Sequence, residues 1–209
     1  VCKSGACMAS TAHLTKHNSA MFWTLPTLLT WARIFAIPFI VGVYYLTSID
    51  MATKNLLATV SFIVVAATDW LDGWLARKLN QTSAFGAFLD PVADKFLIVA
   101  ALLMLLHLGR VGVVVACIII GREIAISALR EWMAQIGASR SVAVTMVGKV
   151  KTVVQMVAIP FLLFDGVILG LIDTRQWGRM LIWVAAFLTV WSMIYYLRRA
   201  LPEIRAKVK

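Results

Sequence analysis

Residues 68–95 read TDWLDGWLARKLNQTSAFGAFLDPVADK and carry four aspartates, one arginine and two lysines between long apolar runs. Asp69 and Asp72 are three residues apart, and Asp90 and Asp94 are four apart, so an α-helix places each pair on one face. A helical hairpin with its turn at 79–85 brings the two pairs together. The stretch therefore predicts two neighbouring helices whose adjoining ends hold four carboxylates.

The composition around this stretch is that of a membrane protein. The 209 residues are 61% hydrophobic and only 14% charged, and the mean hydropathy is +0.87. A soluble domain has about one quarter charged residues and buries its apolar side chains in a core. The sequence therefore predicts an all-α integral membrane protein whose apolar surface is covered by lipid.

The charge is strongly positive, with 20 lysines and arginines against 10 acidic residues. Because the basic residues fall mainly between apolar runs, the expected partners are anionic membrane lipids and not nucleic acid. The three cysteines, Cys2, Cys7 and Cys117, form neither a disulfide framework nor a zinc motif.

Six apolar runs approach the length of about 20 residues that crosses a bilayer. They predict a six-transmembrane-helix bundle with helices at 25–46, 56–78, 84–107, 111–133, 148–169 and 177–198. An even number of spans puts both termini on one side, and that side carries thirteen lysines and arginines against four on the other. Both termini and the acidic stretch are therefore predicted to be cytoplasmic.

Residues 1–20 differ from the rest of the chain, since they are polar and lack the apolar segment of a signal peptide. We interpret them as an N-terminal extension, from upstream sequence or from cloning, with Met21 as the expected natural start. Residues 21–209 form the single predicted membrane domain.

Four converging carboxylates repel one another unless cations neutralise them. The stretch contains no His or Cys, and hard divalent ions prefer oxygen ligands, so we expect Mg²⁺ or Mn²⁺ in a two-metal site. Such a pair of ions clamps a phosphate or diphosphate. A lone aspartate in a span could instead serve a proton relay, but two same-face pairs favour the metal site.

Small residues accompany the acids. Gly73, Ala76 and Gly86 leave room beside the acidic face for either a neighbouring helix or a ligand, and Arg77 follows within reach of phosphate oxygens. Pro91 removes one helical hydrogen bond beside Asp90 and predicts a kink.

The spacing of these residues resembles a known family. Asp69-x2-Asp72-Gly73-x2-Ala76-Arg77-x8-Gly86-x3-Asp90-x3-Asp94 matches the signature of the CDP-alcohol phosphotransferases at every specified position. Segments such as LPTLLTWARIFAIPF (25–39) and SVAVTMVGKVKTVVQM (141–156) further resemble the bacterial members that make phosphatidylglycerol phosphate. This resemblance runs from about Met21 to the last predicted span.

The resemblance implies a phospholipid-synthesising transferase in the bacterial cytoplasmic (inner) membrane, with its active site facing the cytoplasm. CDP-diacylglycerol and sn-glycerol 3-phosphate would give phosphatidylglycerol phosphate and CMP, and the enzyme would be a homodimer. The implied metal ligands are Asp69, Asp72 and Asp90, with Asp94 completing the site and acting as general base.

The CDP-diacylglycerol site is expected to include Gly73, Ala76, Arg77 and Gly86 together with Thr30 and Arg33 of the first span. Arg33 has two interpretations, since it could contact the nucleotide phosphate or pair with an aspartate.

A dianionic acceptor needs cations of its own. Basic residues cluster around the fourth and fifth spans on the cytoplasmic side, namely Arg122, Arg130, Arg140, Lys149 and Lys151. An arginine inside a span is costly without a partner, which makes Arg122 the strongest candidate, with Glu123 or a phosphate as that partner. The alternative interpretation of the loop residues is that they anchor the topology.

Two other functions fit parts of the pattern. An ion-coupled transporter could use the aspartates as a cation site, but transporters usually hold such groups near the midplane and contain repeats. A sister transferase could use inositol phosphate, serine or phosphatidylglycerol as acceptor, and the acidic signature does not separate these enzymes. Only the segments outside the signature, especially 122–155, favour glycerol 3-phosphate.

Overall fold

The structure is a computed structural model that describes residues 25–79, 84–135, 137, 146–168 and 170–207. Within these ranges the side chains at 25–29, 69–79, 84–88, 147 and 205–207 are not described. The predicted N-terminal extension therefore lies outside the described residues.

The described residues form six helices, as the apolar runs predict. They are α1 (Leu25–Val43), α2 (Met51–Leu79), α3 (Ala84–His107), α4 (Val113–Gln135), α5 (Met146–Phe164) and α6 (Thr174–Lys207). Helix α1 packs against α2 and α3, while α5 packs against α6 and α2, and α4 packs on α6. Each helix runs antiparallel to the next, so the ends that carry the acidic and basic residues share one end of the bundle.

The described chain is mostly helical, and one connection between helices holds a short strand pair that the sequence does not predict. The run 148–169 was expected to be a single span, but α5 ends at Phe164, and Val167–Ile168 (β1) pairs antiparallel with Ile172–Asp173 (β2). Asp165 has a φ of +47° and Gly170 a φ of +69°, and a left-handed residue just after a helix ends it. Apolar periodicity does not detect this stop because the hairpin is itself apolar.

Two helices begin earlier than predicted because aspartates cap them. Asp50 accepts hydrogen bonds from the Thr53 amide (3.0 Å) and hydroxyl (2.7 Å), so α2 begins at Met51 and not at 56. These hydrogen bonds also hold the pKa of the Asp50 carboxyl below its usual value. Asp173 accepts from the amides of Arg175 (3.0 Å) and Gln176 (3.3 Å) at the start of α6.

The main apolar core lies between the helices and is formed by residues such as Phe62, Leu102, Ile119 and Leu162. A smaller cluster joins α4 to α6 through Ile126, Met133, Tyr196 and Ala200. At Gly178, α6 approaches α5 so closely that a Cβ atom would lie 2.8 Å from Cγ of Leu162. The absence of a side chain there lets α5 and α6 pack along their length.

The outer surface of the bundle is apolar. Phe35 is 68% exposed and Phe187 is 65% exposed, and apolar area of this kind in water favours association or membrane insertion. Two described stretches are long and apolar enough to cross a membrane, Met51–Thr68 and Thr174–Ile204, and only 28% and 33% of them are buried. They are therefore unlike the core helices of a soluble protein, and the exterior is consistent with a membrane protein.

Arg110 connects α2 and α5 at the end of the bundle that lies opposite the acidic residues. Its guanidinium donates to the carbonyl oxygens of Leu162 (3.0 Å) and Leu163 (2.8 Å) and to Oδ1 of Asn55 (2.8 Å). Its Nε lies 3.2 Å from Oδ2 of Asp165, which also pairs with the exposed Arg175 at 2.9 Å. One buried arginine thus satisfies the last carbonyls of α5 and joins α5 to α2.

Arg110→Met is expected to reduce the free energy of unfolding by about 3–5 kcal/mol, because it leaves buried acceptors on α2 and α5 without a donor. Arg175→Met is the matched control, since it removes the other partner of Asp165. The Arg175 side chain is 48% exposed, so this second change should cost less than about 1 kcal/mol. Thermal midpoints of the purified variants in detergent measure both effects, and equal midpoints would contradict the structural role of Arg110.

Candidate active site

The acidic residues lie where α2 ends and α3 begins. Asp69 and Asp72 belong to the last three turns of α2, and Asp90 and Asp94 to the first three turns of α3. The backbone is helical at all four positions, so the same-face spacing of each pair holds. The side chains of Asp69 and Asp72 lie outside the described residues.

Helix α1 supplies the partners of the two acids on α3. The Thr30 hydroxyl donates to Oδ1 of Asp90, and NH1 of Arg33 lies 2.7 Å from Oδ1 of Asp94. Thr30 and Arg33 are buried, whereas the Asp94 side chain is 39% exposed. The guanidinium therefore orients the Asp94 carboxylate and leaves part of it open to a ligand.

Arg33 thus pairs with an aspartate, which is one of the two interpretations open from the sequence. Thr30 and Arg33 were expected at the CDP-diacylglycerol site, and the structure places them against the acids that would bind its metal ions. Because both side chains hold carboxylate oxygens, they position the acidic site whether or not they also touch the nucleotide.

The chemistry of the acidic site suits a hard cation. Asp90 and Asp94 offer carboxylate oxygens, which contact the Thr30 hydroxyl and the Arg33 guanidinium. No group of three or more potential metal ligands occurs among the residues whose side chains are described. Two of the four predicted ligands, Asp69 and Asp72, lie outside that set, so the two-metal site stays a prediction.

The remaining members of the predicted lipid-nucleotide site are placed only by their backbone. Gly73, Ala76 and Arg77 lie in the last turns of α2, and Gly86 lies in the first turn of α3. Their side-chain environments fall outside the described residues. Their expected contacts with CDP-diacylglycerol remain predictions.

A second cluster, here called the cation cluster, consists of Arg122, Arg130 and Lys151 around Glu123. Nζ of Lys151 and NH1 of Arg122 (3.3 Å) both donate to Oε1 of Glu123. Arg122 is 7% exposed and Lys151 is 2% exposed. Two buried cations thus share one carboxylate, which leaves an excess positive charge that favours an anionic ligand.

Helix α6 completes the cation cluster with two residues that the sequence did not reveal. NH2 of Arg122 donates to Oγ of Ser192 (3.0 Å), and the guanidinium groups of Arg122 and Arg130 lie 5.9 and 5.5 Å from the centre of the Tyr196 ring. Ser192 and Tyr196 are four residues apart in an otherwise apolar run. This i, i+4 polar pair on one face is the signal that could have identified them.

Some donors of the cluster have no partner within the described part of the chain. The Nε atoms of Arg122 and Arg130 are buried and make no hydrogen bond there. Buried donors are normally satisfied, so these groups are suited to hold the oxygens of a bound anion.

The other two predicted acceptor residues are not brought into this cluster. Lys149 is exposed on α5, and a residue two positions from Lys151 does not share its helix face. Arg140 lies outside the described residues. Of the five basic residues singled out in the sequence, the structure brings three together.

The acidic site and the cation cluster lie at similar depths in the bundle. Lys151 precedes Leu162, a partner of Arg110, by eleven residues, which is about 16 Å along α5. Asp94 precedes His107, at the same end of the bundle, by thirteen residues, or about 20 Å along α3. The two sites therefore lie toward the same end of the bundle.

The chain is similar to known proteins of one family. Residues 23–191 match the family model of the CDP-alcohol phosphatidyltransferases. The chain is 47% identical over 186 residues to proteins named CDP-diacylglycerol–glycerol-3-phosphate 3-phosphatidyltransferase from Salmonella choleraesuis (strain SC-B67) and Escherichia coli (strain K12). A Shigella flexneri protein of the same name is equally similar, and each match covers 88% of this chain and 98% of the relative. With the family match covering most of its length, the chain belongs to the CDP-alcohol phosphatidyltransferase family.

Proposed function

We propose that the protein transfers the phosphatidyl group of CDP-diacylglycerol to sn-glycerol 3-phosphate, giving phosphatidylglycerol phosphate and CMP. The observation that carries the choice of acceptor is the cation cluster, in which two buried cations share a single carboxylate, Glu123, within the described residues. A phosphorylated acceptor fits such a site, whereas serine, which has no phosphate, does not. The names of the relatives specify glycerol 3-phosphate among the phosphorylated acceptors.

The reaction joins an acceptor oxygen to the β-phosphorus of CDP-diacylglycerol. The cation cluster holds the acceptor phosphate, and the free hydroxyl of the acceptor faces the acidic site. Asp94 takes the proton of this hydroxyl as its oxygen attacks. The bond between the β-phosphorus and the oxygen that bridges to CMP breaks, and CMP leaves with that electron pair. Arg33 orients the Asp94 carboxylate for the proton transfer.

Asp69, Asp72 and Asp90, with Asp94 completing the site, would hold Mg²⁺ or Mn²⁺. When bound there, the ions supply positive charge that neutralises the diphosphate. The all-oxygen donor set of Asp90 and Asp94 supports this choice of metal. Chelation with EDTA is expected to abolish CMP release, and Mg²⁺ or Mn²⁺ should restore it.

The membrane arrangement is part of the proposal. All six helices cross the bacterial cytoplasmic membrane, both termini are cytoplasmic, and the active site opens to the cytoplasm, as the distribution of basic residues favours. Anionic lipids surround the basic end of the bundle. The protein acts as a homodimer, an expectation that rests on family resemblance.

An acceptor competition assay tests the function. Purified protein in detergent micelles receives CDP-diacylglycerol and radiolabelled glycerol 3-phosphate. An excess of unlabelled glycerol 3-phosphate, inositol phosphate, serine or phosphatidylglycerol is added as competitor. Only unlabelled glycerol 3-phosphate should suppress label transfer into lipid. Efficient suppression by another acceptor would assign the protein to a sister activity, and absence of CMP release with every acceptor would contradict the transferase.

A further inference from the structure

Gln155 marks the boundary between the cation cluster and the apolar core. It lies on the same face of α5 as Lys151, one helical turn farther along the chain, and it is fully buried at 0% exposure. The next buried residues on this face are Ala158 and Ile159, which belong to the main apolar core. Gln155 is therefore the last polar side chain on the buried face of α5 before the core begins.

The amide of Gln155 has no partner within the described part of the chain. Both Nε2 and Oε1 are buried and make no hydrogen bond there. Two buried hydroxyls of α6 are engaged within their own helix, since Thr189 donates to the Ala185 carbonyl (2.5 Å) and Ser192 donates to the Thr189 carbonyl (2.9 Å). An unpartnered buried amide destabilises a fold, whereas an apolar side chain of similar shape does not. A bound group that satisfies the amide would account for a glutamine at this position.

The depth of Gln155 in the bundle indicates which chemical group binds its amide. Gln155 precedes Leu162 by seven residues and so lies about 10 Å along α5 from the Arg110 end, compared with about 16 Å for Lys151. Asp94 lies about 20 Å from the same end. An acceptor whose hydroxyl reaches Asp94 therefore turns its phosphate toward Lys151 and, beyond it, toward Gln155.

We propose that Gln155 is a binding residue for the acceptor phosphate and forms the floor of the cation cluster, with Nε2 donating a hydrogen bond to a phosphate oxygen. This inference rests on the proposed function, because it takes the ligand of the cluster to be a phosphorylated acceptor. A neutral donor is well suited here, since Arg122 and Lys151 are already buried beside a single carboxylate. A further cation would add like-charge repulsion, whereas an amide adds a directed hydrogen bond without charge.

Gln155→Met tests the proposal by replacing the amide with an apolar side chain of similar length. The KM for glycerol 3-phosphate should rise about tenfold to a hundredfold, the effect of losing a hydrogen bond to a charged group. The KM for CDP-diacylglycerol should stay within about twofold, because the phosphatidyl donor makes no contact with this residue. The thermal midpoint without ligand should be unchanged or higher, since no unpartnered amide is then buried. Glycerol 3-phosphate should raise that midpoint less than in the wild type.

Two further variants sharpen the test. Gln155→Asn keeps the amide but withdraws it by one methylene, so an intermediate rise in the acceptor KM is expected. Thr152→Val is the control on the exposed side of α5, where the hydroxyl donates to the Gly148 carbonyl of the same helix (3.0 Å), and its acceptor KM should be unchanged. A lower midpoint in Gln155→Met with no selective change in acceptor KM would show that the residue is structural.

The outcomes separate this proposal from the function on which it rests. A wild-type protein that does not use glycerol 3-phosphate overturns both. A wild-type protein that uses it, together with unchanged acceptor KM in Gln155→Met and Gln155→Asn, overturns only the role of Gln155.

Discussion

Replacing Asp94 with asparagine should lower the turnover number by about a hundredfold to ten-thousandfold, the usual contribution of a general base. Asparagine keeps the shape of the side chain but does not accept the proton of the attacking hydroxyl. The Asp94 side chain is 39% exposed beside a buried Arg33, so the substitution also removes the partner of that arginine. CMP release measures turnover, and binding of CDP-diacylglycerol to the purified variant should be largely retained.

Comparison with the neighbouring acid separates proton transfer from metal binding. Asp90→Asn should raise the Mg²⁺ concentration needed for half-maximal activity and weaken nucleotide binding together with it. Thr30→Val removes only the hydroxyl that donates to Asp90, so it should cause a milder shift in the same direction, about tenfold or less. Near-normal turnover in Asp94→Asn would refute the base role, whatever the metal titrations give.

The second large effect is expected at Arg122. Arg122→Met should raise the KM for glycerol 3-phosphate about tenfold to a hundredfold, since a charge-assisted hydrogen bond is worth about 1.5–3 kcal/mol. The KM for CDP-diacylglycerol should change by less than about twofold. Arg122 also bonds Ser192 of α6, so the thermal midpoint of the variant is measured in parallel.

Lys149→Met is the informative comparison for Arg122→Met. Lys149 is basic and lies on the neighbouring helix, but it is exposed, so its loss should raise the acceptor KM by less than about threefold. If both residues act only as topology anchors, both variants should insert in lower yield and show normal kinetics in the protein that does insert. Unchanged acceptor KM in Arg122→Met would end the hypothesis of a phosphate pocket.

The helices could largely be predicted from the sequence, because each apolar run is long and is bounded by polar or charged residues. The positions at which the helices end were less predictable. Charged residues at 198 and 199 suggested the end of α6, yet the helix continues to Lys207, since arginine, leucine and alanine favour helix even outside an apolar environment. The stop at Asp165 depends on one left-handed backbone angle, which hydropathy does not encode.

The site was predictable to the extent that its residues lie close together in the sequence. Spacings of three and four identified the aspartate pairs, and the cluster of basic residues around the fourth and fifth predicted spans identified the region that holds Arg122 and Lys151. The contacts of Thr30 with Asp90 and of Arg33 with Asp94 join residues 60 and 61 positions apart. Such pairings depend on how helices pack, and no local pattern specifies them. Likewise, only the packing of the helices determines which basic side chains face the interior of the bundle.

The length of α6 has a consequence for how two dissimilar substrates meet. Its 34 residues extend about 51 Å, against a hydrocarbon thickness of about 30 Å. If Thr174 stands at the far boundary, Ser192 lies about 27 Å along the helix, within one turn of the near boundary. In the proposed function, an anion that contacts Arg122 beside Ser192 would thus lie near the edge of the hydrocarbon layer. In the proposed reaction, a water-soluble acceptor can reach this depth without crossing the bilayer, and a lipid can react there without leaving it. The enzyme would then bring its aqueous and its lipid substrate together at the boundary between water and membrane.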